Sequence, residues 1–583
     1  MKKLKFSVLL VACLWLTTSV LANGKFVYVE NARLYAPDGK ELALWGVNFQ
    51  SSLSWEFGRL KNHGVEETAA SLNKCVDLNL ADLAQMGTTI VRVHLTPADF
   101  TDENGNLVET PYLANLDYLI AQAEKMGIYI HIAMINHMGG GYVKNSMWQG
   151  RDRKDWIHDP VMVEKSKNYI KQLLNRTNLY NKIKNKDNPT IAMWEIINEP
   201  SNYAYQAIKT SKFYDDFKNW IAQRGMDDNL TSYSAYRMIL VRDYINSIYD
   251  VIRGTGAVQP VVWGMNWHRY RNGNVDLFDA AAASKVEVVA LCNYPGQDLV
   301  GSNYGRNPKD LTDSDFAAWF EEQYKEVNGY RWTLTPEFMK KAKVVYEFET
   351  FFNQSSYLYP IQALLFRALG VQDATMWTYT PAEVAPYVGA SHYLSLRCTP
   401  AKSASYIIAH EIFKSTPLYQ EFNTQNINEQ VGSNYVISKS RDLSIFSDKD
   451  KLMYTRDITK WCPLQISPQV KTIIGRESSP LVTYSGSGLY FINDNGKELS
   501  IIIEPNSTWI SNPAFVTLFN TTLNTTLDFT ANKMSIKLAG WEKGGTLYKL
   551  NPKGGRSQIA RLSSLEGMSL TPGKYVIVKN LKL

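Results

Sequence analysis

Three observations predict an α/β fold, a (β/α)8 TIM barrel followed by a C-terminal all-β, sandwich-like domain. Between residues 43 and 415, eight short apolar runs of β character alternate with amphipathic helical stretches, the pattern of a parallel sheet with crossover helices. No Gly-rich phosphate loop follows the first run, which reads LWGVNFQSS, and this favours a closed barrel over an open doubly wound sheet. After about Phe413 the helical pattern stops, and short β runs separated by turns continue to the C-terminus.

Residues 1–22, MKKLKFSVLLVACLWLTTSVLA, have a basic start, an apolar run from Phe6 and a small-residue end, the features of an export signal peptide. Val20 and Ala22 place cleavage before Asn23; Leu10-Val11-Ala12-Cys13 also resembles a lipoprotein box, against which Leu14, Trp15 and Leu16 prolong the apolar run. The expectation is an exported protein, periplasmic, cell-surface or secreted, with lipid anchoring at Cys13 as the rival. No later stretch is long and apolar enough to span a membrane.

The barrel domain is expected over 23–415, opening with a β-hairpin in which FVYVENARLYAP is followed by a turn at Asp38-Gly39 and then ELALWGVN. The eight strands are read at 43–47, 88–95, 128–135, 190–197, 259–265, 286–292, 343–348 and 374–379. Helical stretches such as YLANLDYLIAQAEKMG end in Gly, a C-terminal stop signal. The β domain is expected over 418–583, where Asn495-Gly496 between two alternating runs reads as a tight hairpin turn.

Composition excludes several classes. The 583 residues are 45% hydrophobic and 20% charged, so the chain is neither disordered nor low-complexity. The formal charge of +6 includes Lys2, Lys3 and Lys5, and 6 − 3 leaves +3, too little and too scattered for a nucleic-acid surface. The cysteines left after cleavage, Cys75, Cys292, Cys398 and Cys462, show no metal-ligand spacing, and no cofactor or metal is called for.

Barrel active sites lie at the C-terminal ends of the strands. There the fourth strand runs into Trp194-Glu195-Ile196-Ile197-Asn198-Glu199-Pro200, and the seventh reads Val345-Tyr346-Glu347-Phe348-Glu349. Two carboxyl groups converging over the barrel mouth are the minimum for glycoside hydrolysis, one as proton donor and the other as nucleophile or base.

Asn198-Glu199-Pro200 after a hydrophobic fourth strand, with a Glu-aromatic pair at the seventh, resembles the retaining glycoside hydrolases of clan A, and family 5, the cellulase-like enzymes, in particular. The resemblance covers about residues 40–415. Gly46-Val47-Asn48 is similar to the end of that family's first strand, Arg92 to the arginine of the second and His137 to the histidine after the third. It implies that Asn198 binds the sugar 2-hydroxyl, Glu199 is the acid/base, Tyr294 hydrogen-bonds the nucleophile Glu347, and Trp377 lies under the sugar being attacked. Two positions depart from the pattern, Cys292 where the family often has His and Glu349 where it often has Gly.

Glu347 and Glu349 have the same strand parity, so alternation alone does not separate them; the resemblance selects Glu347 and leaves Glu349 as a substrate or structural contact. Glu195 reads as a barrel-interior partner of Arg92, because a buried carboxylate needs one. Trp267 and His268 follow the fifth strand on the same rim. The long loop 138–160 offers Tyr142, Trp148 and Trp156 either as subsite aromatics or as packing. The expected activity is a retaining β-glycoside hydrolase on β-linked poly- or oligosaccharides, of endo-β-glucanase or β-mannanase type. An exo-acting β-galactosidase or β-mannosidase of the clan, and a non-catalytic glycan-binding barrel, are the alternatives.

Overall fold

The computed structural model describes residues 24–50, 54–136, 139–265, 273–295, 315–326, 329–349, 354–388, 392–510 and 521–579. The signal-peptide reading, His137, Trp267 and His268 lie outside the described residues.

A short hairpin, β1 (Tyr28–Glu30) and β2 (Arg33–Tyr35), precedes the barrel. Its turn is at Asn31 and Ala32, both at positive φ, the geometry of a two-residue turn that matches strand twist. The expected turn at Asp38-Gly39 is a second reversal that brings Glu41 back to Tyr35. Val27, Leu34 and Leu42 pack with Leu44 and Ile90 of the barrel interior, so the hairpin is a plug at the N-terminal end of the strands.

Eight parallel strands close the barrel: β3 (Leu44–Asn48), β4 (Ile90–His94), β5 (Tyr129–Ala133), β6 (Ile191–Glu195), β7 (Val261–Gly264), β8 (Val288–Asn293), β9 (Ala342–Phe348) and β10 (Val371–Met376), with β10 pairing back to β3. Seven lie within two residues of the positions read from sequence. The eighth starts three residues earlier than its apolar run, because it opens with Val371-Gln372-Asp373. Gln372 is buried and bonds the backbone of Leu34 and Leu42, fastening the plug to β10. Inward residues such as Ala192, Val288, Ala290 and Val344 fill the barrel, and outward ones such as Val91, Trp194 and Val345 meet the helix layer. The helix Pro111–Met126 shows how the sequence sets its own limits: Thr110 caps its first turn, Pro111 starts it and Gly127 in the left-handed region ends it.

Two β-bulges turn the site side chains inward. Along β9, Leu291 pairs with Val345 but Cys292 pairs with Glu347, and on the other edge Ala374 pairs with Val345 but Met376 with Phe348. The extra residue is Tyr346, so Tyr346 and Glu347 both face the interior. A similar shift in β6 skips Ala192.

After the helix Pro400–Ser415 the chain forms a ten-stranded sheet and a three-stranded sheet that share one apolar core, in two layers. Gly496, at positive φ, turns the hairpin between Tyr490–Asp494 and Glu498–Ile503. Ile437, Phe446, Met453 and Leu489 of the large sheet join the same apolar cluster as the barrel helices.

Glu349, grouped with the substrate contacts in the sequence reading, requires correction. It lies past the end of β9 and is fully buried against the helix layer. One carboxylate oxygen accepts from Lys402 Nζ at 2.9 Å and from the Tyr359 hydroxyl at 3.0 Å, and the other accepts the Tyr393 backbone N–H at 3.0 Å. A carboxylate without solvent exposure and with three protein donors is a structural ion pair. Glu349→Gln strands the equally buried Lys402 ammonium and should cost about 3–5 kcal/mol of unfolding free energy. Replacing both partners together, Glu349→Leu with Lys402→Met, should cost distinctly less; denaturant titration of the single and double variants checks the order.

Candidate active site

Arg92, on β4, is fully buried and organises the C-terminal mouth of the barrel. Its Nε and Nη2 donate to the two oxygens of Glu195, each at 2.7 Å, the bidentate geometry that a planar guanidinium matches best. Nη2 also donates to Asn198 Oδ1 at 2.9 Å, and Nη1 to Asn48 Oδ1 at 2.9 Å and Glu347 Oε1 at 3.2 Å. The Tyr346 ring lies 4.9 Å beneath the guanidinium. Glu195, read as the interior partner of Arg92, fills that place. Behind it His131 Nε2 stands 3.1 Å from Glu195, and His131 Nδ1 stands 3.2 Å from Asp373. Gly264 on β7 leaves room for this ion pair, since a Cβ there would sit 3.0 Å from Glu195 Oε1.

These contacts set the charges. Burial would push the Glu195 carboxyl up, but Arg92 and His131 outweigh it and hold it at about 2. Burial works against charge on Arg92 and His131 too, yet their carboxylate partners raise both above their ordinary values.

Glu347 is 5% exposed at the base of the mouth. Tyr294, just past β8, donates its hydroxyl to Glu347 Oε2 at 2.7 Å, and His94 Nε2 lies 3.3 Å from Oε1. Glu199 follows β6 in a backbone state unusual for a side-chain-bearing residue, φ 45°, immediately before Pro200. Such strain is held where the surroundings enforce it. Its neighbour Asn198 is tied by the Asn198 N–H to the Ile135 carbonyl at 2.8 Å and by its side chain to Arg92.

Glu199 and Glu347 are electrostatically coupled across the mouth. Burial and then the Glu347 charge push Glu199 up to about 8. Burial pushes Glu347 up to about 7, against the pull of Arg92 and the Tyr294 hydrogen bond. Both carboxyls thus hold a proton more tightly than ordinary ones, and the charge of Glu347 adds to the effect of burial on Glu199. One neutral carboxyl beside one carboxylate is the division of labour that a proton donor and a nucleophile require.

Of the sequence-predicted residues, the structure brings Arg92, Asn198, Glu199, Tyr294, Glu347 and Trp377 to one mouth. Trp377, directly after β10, stacks on His94 at 4.8 Å between ring centroids. Glu349 lies in the helix layer as described. Trp148 and Trp156 are buried packing residues, and Tyr142 alone of that loop's three aromatics is exposed. Sequence reasoning missed His94, His131, Asp373 and His392. His94 and His131 sit inside apolar strand runs; their inward parity with Arg92 and Glu195 was the available signal. His392 faces Tyr294 and Trp377 edge to face, at 5.4 and 6.5 Å. A cavity of about 340 Å³ lies behind Pro200, the residue after Glu199, walled also by Arg153, Asn202, Trp263 and Phe278.

Residues 67–328 match the family model described as cellulase (glycosyl hydrolase family 5). Over its barrel, the chain resembles the family 5 glycosyl hydrolases. Among curated proteins, it is 33% identical over 214 residues to mannan endo-1,4-beta-mannosidase 4 of Solanum lycopersicum, covering 35% of this chain and 50% of that protein. It is 34% identical over 103 residues to mannan endo-1,4-beta-mannosidase 3 of Arabidopsis thaliana, covering 16% and 25%. The chain thus spans between a quarter and a half of the length of these relatives. Among solved structures, the endo-1,4-beta-mannanase of Rhizomucor miehei is 16% identical with a TM-score of 0.45, over 67% of this chain and all of that one.

The coupled pair predicts the pH behaviour of this family 5-like site. With Glu347 as nucleophile and Glu199 as proton donor, the roles the family resemblance implies, activity should rise with pH as Glu347 loses its proton and fall as Glu199 does. Tyr294→Phe removes a hydrogen bond that favours the charged form of Glu347. The acid limb of the kcat/KM profile should then move to higher pH by about 0.5–1 unit, while the alkaline limb moves less.

Proposed function

We propose that the chain is a retaining endo-β-glycoside hydrolase acting on β-1,4-linked mannan or a closely related β-glycan. The observation that carries the reading is the pair of carboxyls at one barrel mouth, Glu199 after β6 and Glu347 on β9, the latter held by Arg92 and Tyr294. In the first step Glu199 donates its proton to the glycosidic oxygen as Glu347 attacks the anomeric carbon. The C–O bond breaks, and the sugar is left covalently on Glu347. In the second step Glu199, now a carboxylate, takes a proton from water, which attacks the same carbon and frees Glu347.

Around this pair Tyr294 and Arg92 hold the Glu347 oxygens, so the nucleophile is pre-oriented and substrate binding does not have to order it. Asn198, fixed by Arg92, is placed to meet the hydroxyl beside the anomeric centre, and Trp377 offers a ring for stacking under the sugar. The named activity of the curated relatives supports mannan as the polymer. The N-terminal Lys-rich, apolar segment supports export to reach such a polymer. No helix among the described residues is long and apolar enough to cross a membrane.

A panel of β-mannan, β-glucan, xylan and aryl β-glycosides tests the reading. Mannan should be cleaved to a series of oligosaccharides, and the first product should keep the β configuration by NMR. Glu347→Ala should lower kcat by about four or more orders of magnitude with the fold unchanged. Substantial residual turnover, or an inverted product, would remove Glu347 from the nucleophile's role.

A further inference from the structure

The loop that follows β10 lies between the mouth and the C-terminal β domain, and a hairpin of that domain grips it at both ends. The hairpin is formed by Asn506–Trp509 and Thr525–Asp528. Asn524, just before its second strand, donates its backbone N–H to the Pro386 carbonyl at 2.9 Å and its amide to the Val388 carbonyl at 3.4 Å. On the other stem, Trp509 Nε1 donates to the Cys398 carbonyl at 3.0 Å, and the Trp509 ring packs on Tyr393, centroids 5.9 Å apart.

Tyr393 is itself fixed through its backbone, its N–H on Glu349 and its carbonyl on Lys402. Its neighbour His392 adopts a positive φ of 52°, a conformation that costs free energy in a non-glycine residue and persists where packing enforces it. That conformation turns the imidazole from the Tyr393 side of the loop toward Tyr294 and Trp377, the first of which bonds Glu347. The path from Trp509 to the nucleophile therefore runs through Tyr393, His392 and Tyr294, each in ring contact or directly bonded to the next.

We propose that the C-terminal β domain is a working part of the catalytic centre, in which Trp509 is a positioning residue that acts through His392 at the wall of the sugar site. This rests on the reading of Glu347 as the nucleophile. Trp509 touches no reacting atom; it packs on the Tyr393 ring, whose hydroxyl bonds the Ala385 carbonyl and whose backbone is held by Glu349 and Lys402, so it bears on the residue bonded directly to His392. A misplacement of order 1 Å at such a wall is enough to lower turnover by about a hundredfold.

The test is a double-mutant cycle in the full chain, Trp509→Ala and His392→Ala, read in kcat/KM on β-mannan. Trp509→Ala should lower kcat/KM about 10–100-fold in the wild-type background but less than about threefold when His392 is already alanine. Trp509→Phe, which keeps a ring on Tyr393 and loses only the bond to Cys398, should recover most of the loss. Equal losses in the two backgrounds, or no loss in the first, overturn the proposal. An arm independent of the substrate uses histidine-labelled protein, whose 8 histidines allow the His392 ring signal to be assigned from the His392→Ala variant. That signal should shift in Trp509→Ala while the melting temperature shows the chain folded, and an unmoved signal overturns the proposal even if mannan proves not to be the substrate.

Discussion

A guanidinium without access to water is the constraint on which the rest of the mouth depends. Taking Arg92 out of solvent costs several kcal/mol unless its donors are met by well-placed acceptors. Three strands supply them: Asn48 at the end of β3, Glu195 and Asn198 on and after β6, and Glu347 on β9, with the Tyr346 ring beneath. Each acceptor is thereby fixed as well as used. The charge balance follows. Arg92 offsets Glu195, and His131 with Asp373 forms a second, deeper pair. Glu347 also meets Arg92, at 3.2 Å, and Glu199 stands across the mouth, where the charge of Glu347 acts on it. Negative charge in that place favours the positive character that a glycosyl centre develops as its bond to oxygen breaks.

Strand irregularity delivers these groups. A regular β9 would present Tyr346 and Glu347 to opposite faces; the bulge at Tyr346 presents both inward, one as a floor under Arg92 and one as its acceptor. A regular ladder also extends hydrogen bonding to the strand end, whereas here β9 releases the chain after Phe348 and lets Glu349 swing to the helix layer. Two glutamates two residues apart thus carry unrelated tasks, one at the mouth and one holding Lys402 in the wall.

The same irregularities explain what was legible beforehand. Alternating apolar runs placed eight strands because each buries one face in the barrel and the other under helices, and seven of the eight fell where the apolar pattern was continuous. The eighth was displaced because Gln372 and Asp373 are polar yet buried, satisfied by the hairpin backbone and by His131. Glu199 and Glu347 were visible as strand-end carboxylates. His94 and His131 were not, since a histidine within an apolar run gives no sign of whether it packs or bonds until its neighbours across the barrel are known. Glu349 was open as a substrate or a structural contact, because strand parity does not separate it from Glu347, and only its buried pairing with Lys402 decides for the structural one. Trp148 and Trp156 show the limit of aromatic content as a guide, because an aromatic in a long loop fills a core as readily as it meets a sugar.

The C-terminal sheets belong to this account on physical grounds. Their apolar residues join the helix-layer core of the barrel without a break, so separating the two would expose contiguous apolar surface on both. Polar contacts cross the same boundary. Glu504 pairs with Arg397 at 3.0 Å and accepts from Gln85 at 2.8 Å; Arg397 in turn forks onto Asp82, which accepts from the Tyr379 hydroxyl. Tyr379 lies two residues beyond Trp377, and its backbone N–H bonds the Asn48 carbonyl. Asn48 is an Arg92 acceptor. A buried carboxylate of the β domain is therefore connected, through five ionic or hydrogen-bonded links that pass by Arg397, Asp82, Tyr379 and Asn48, to the guanidinium at the centre of the mouth. Removing the β domain would leave Arg397 and Asp82 with an altered balance of charge at the root of the loop after β10. A folding unit whose loss unsettles both the apolar layer and the polar chain behind the mouth is part of the barrel's frame.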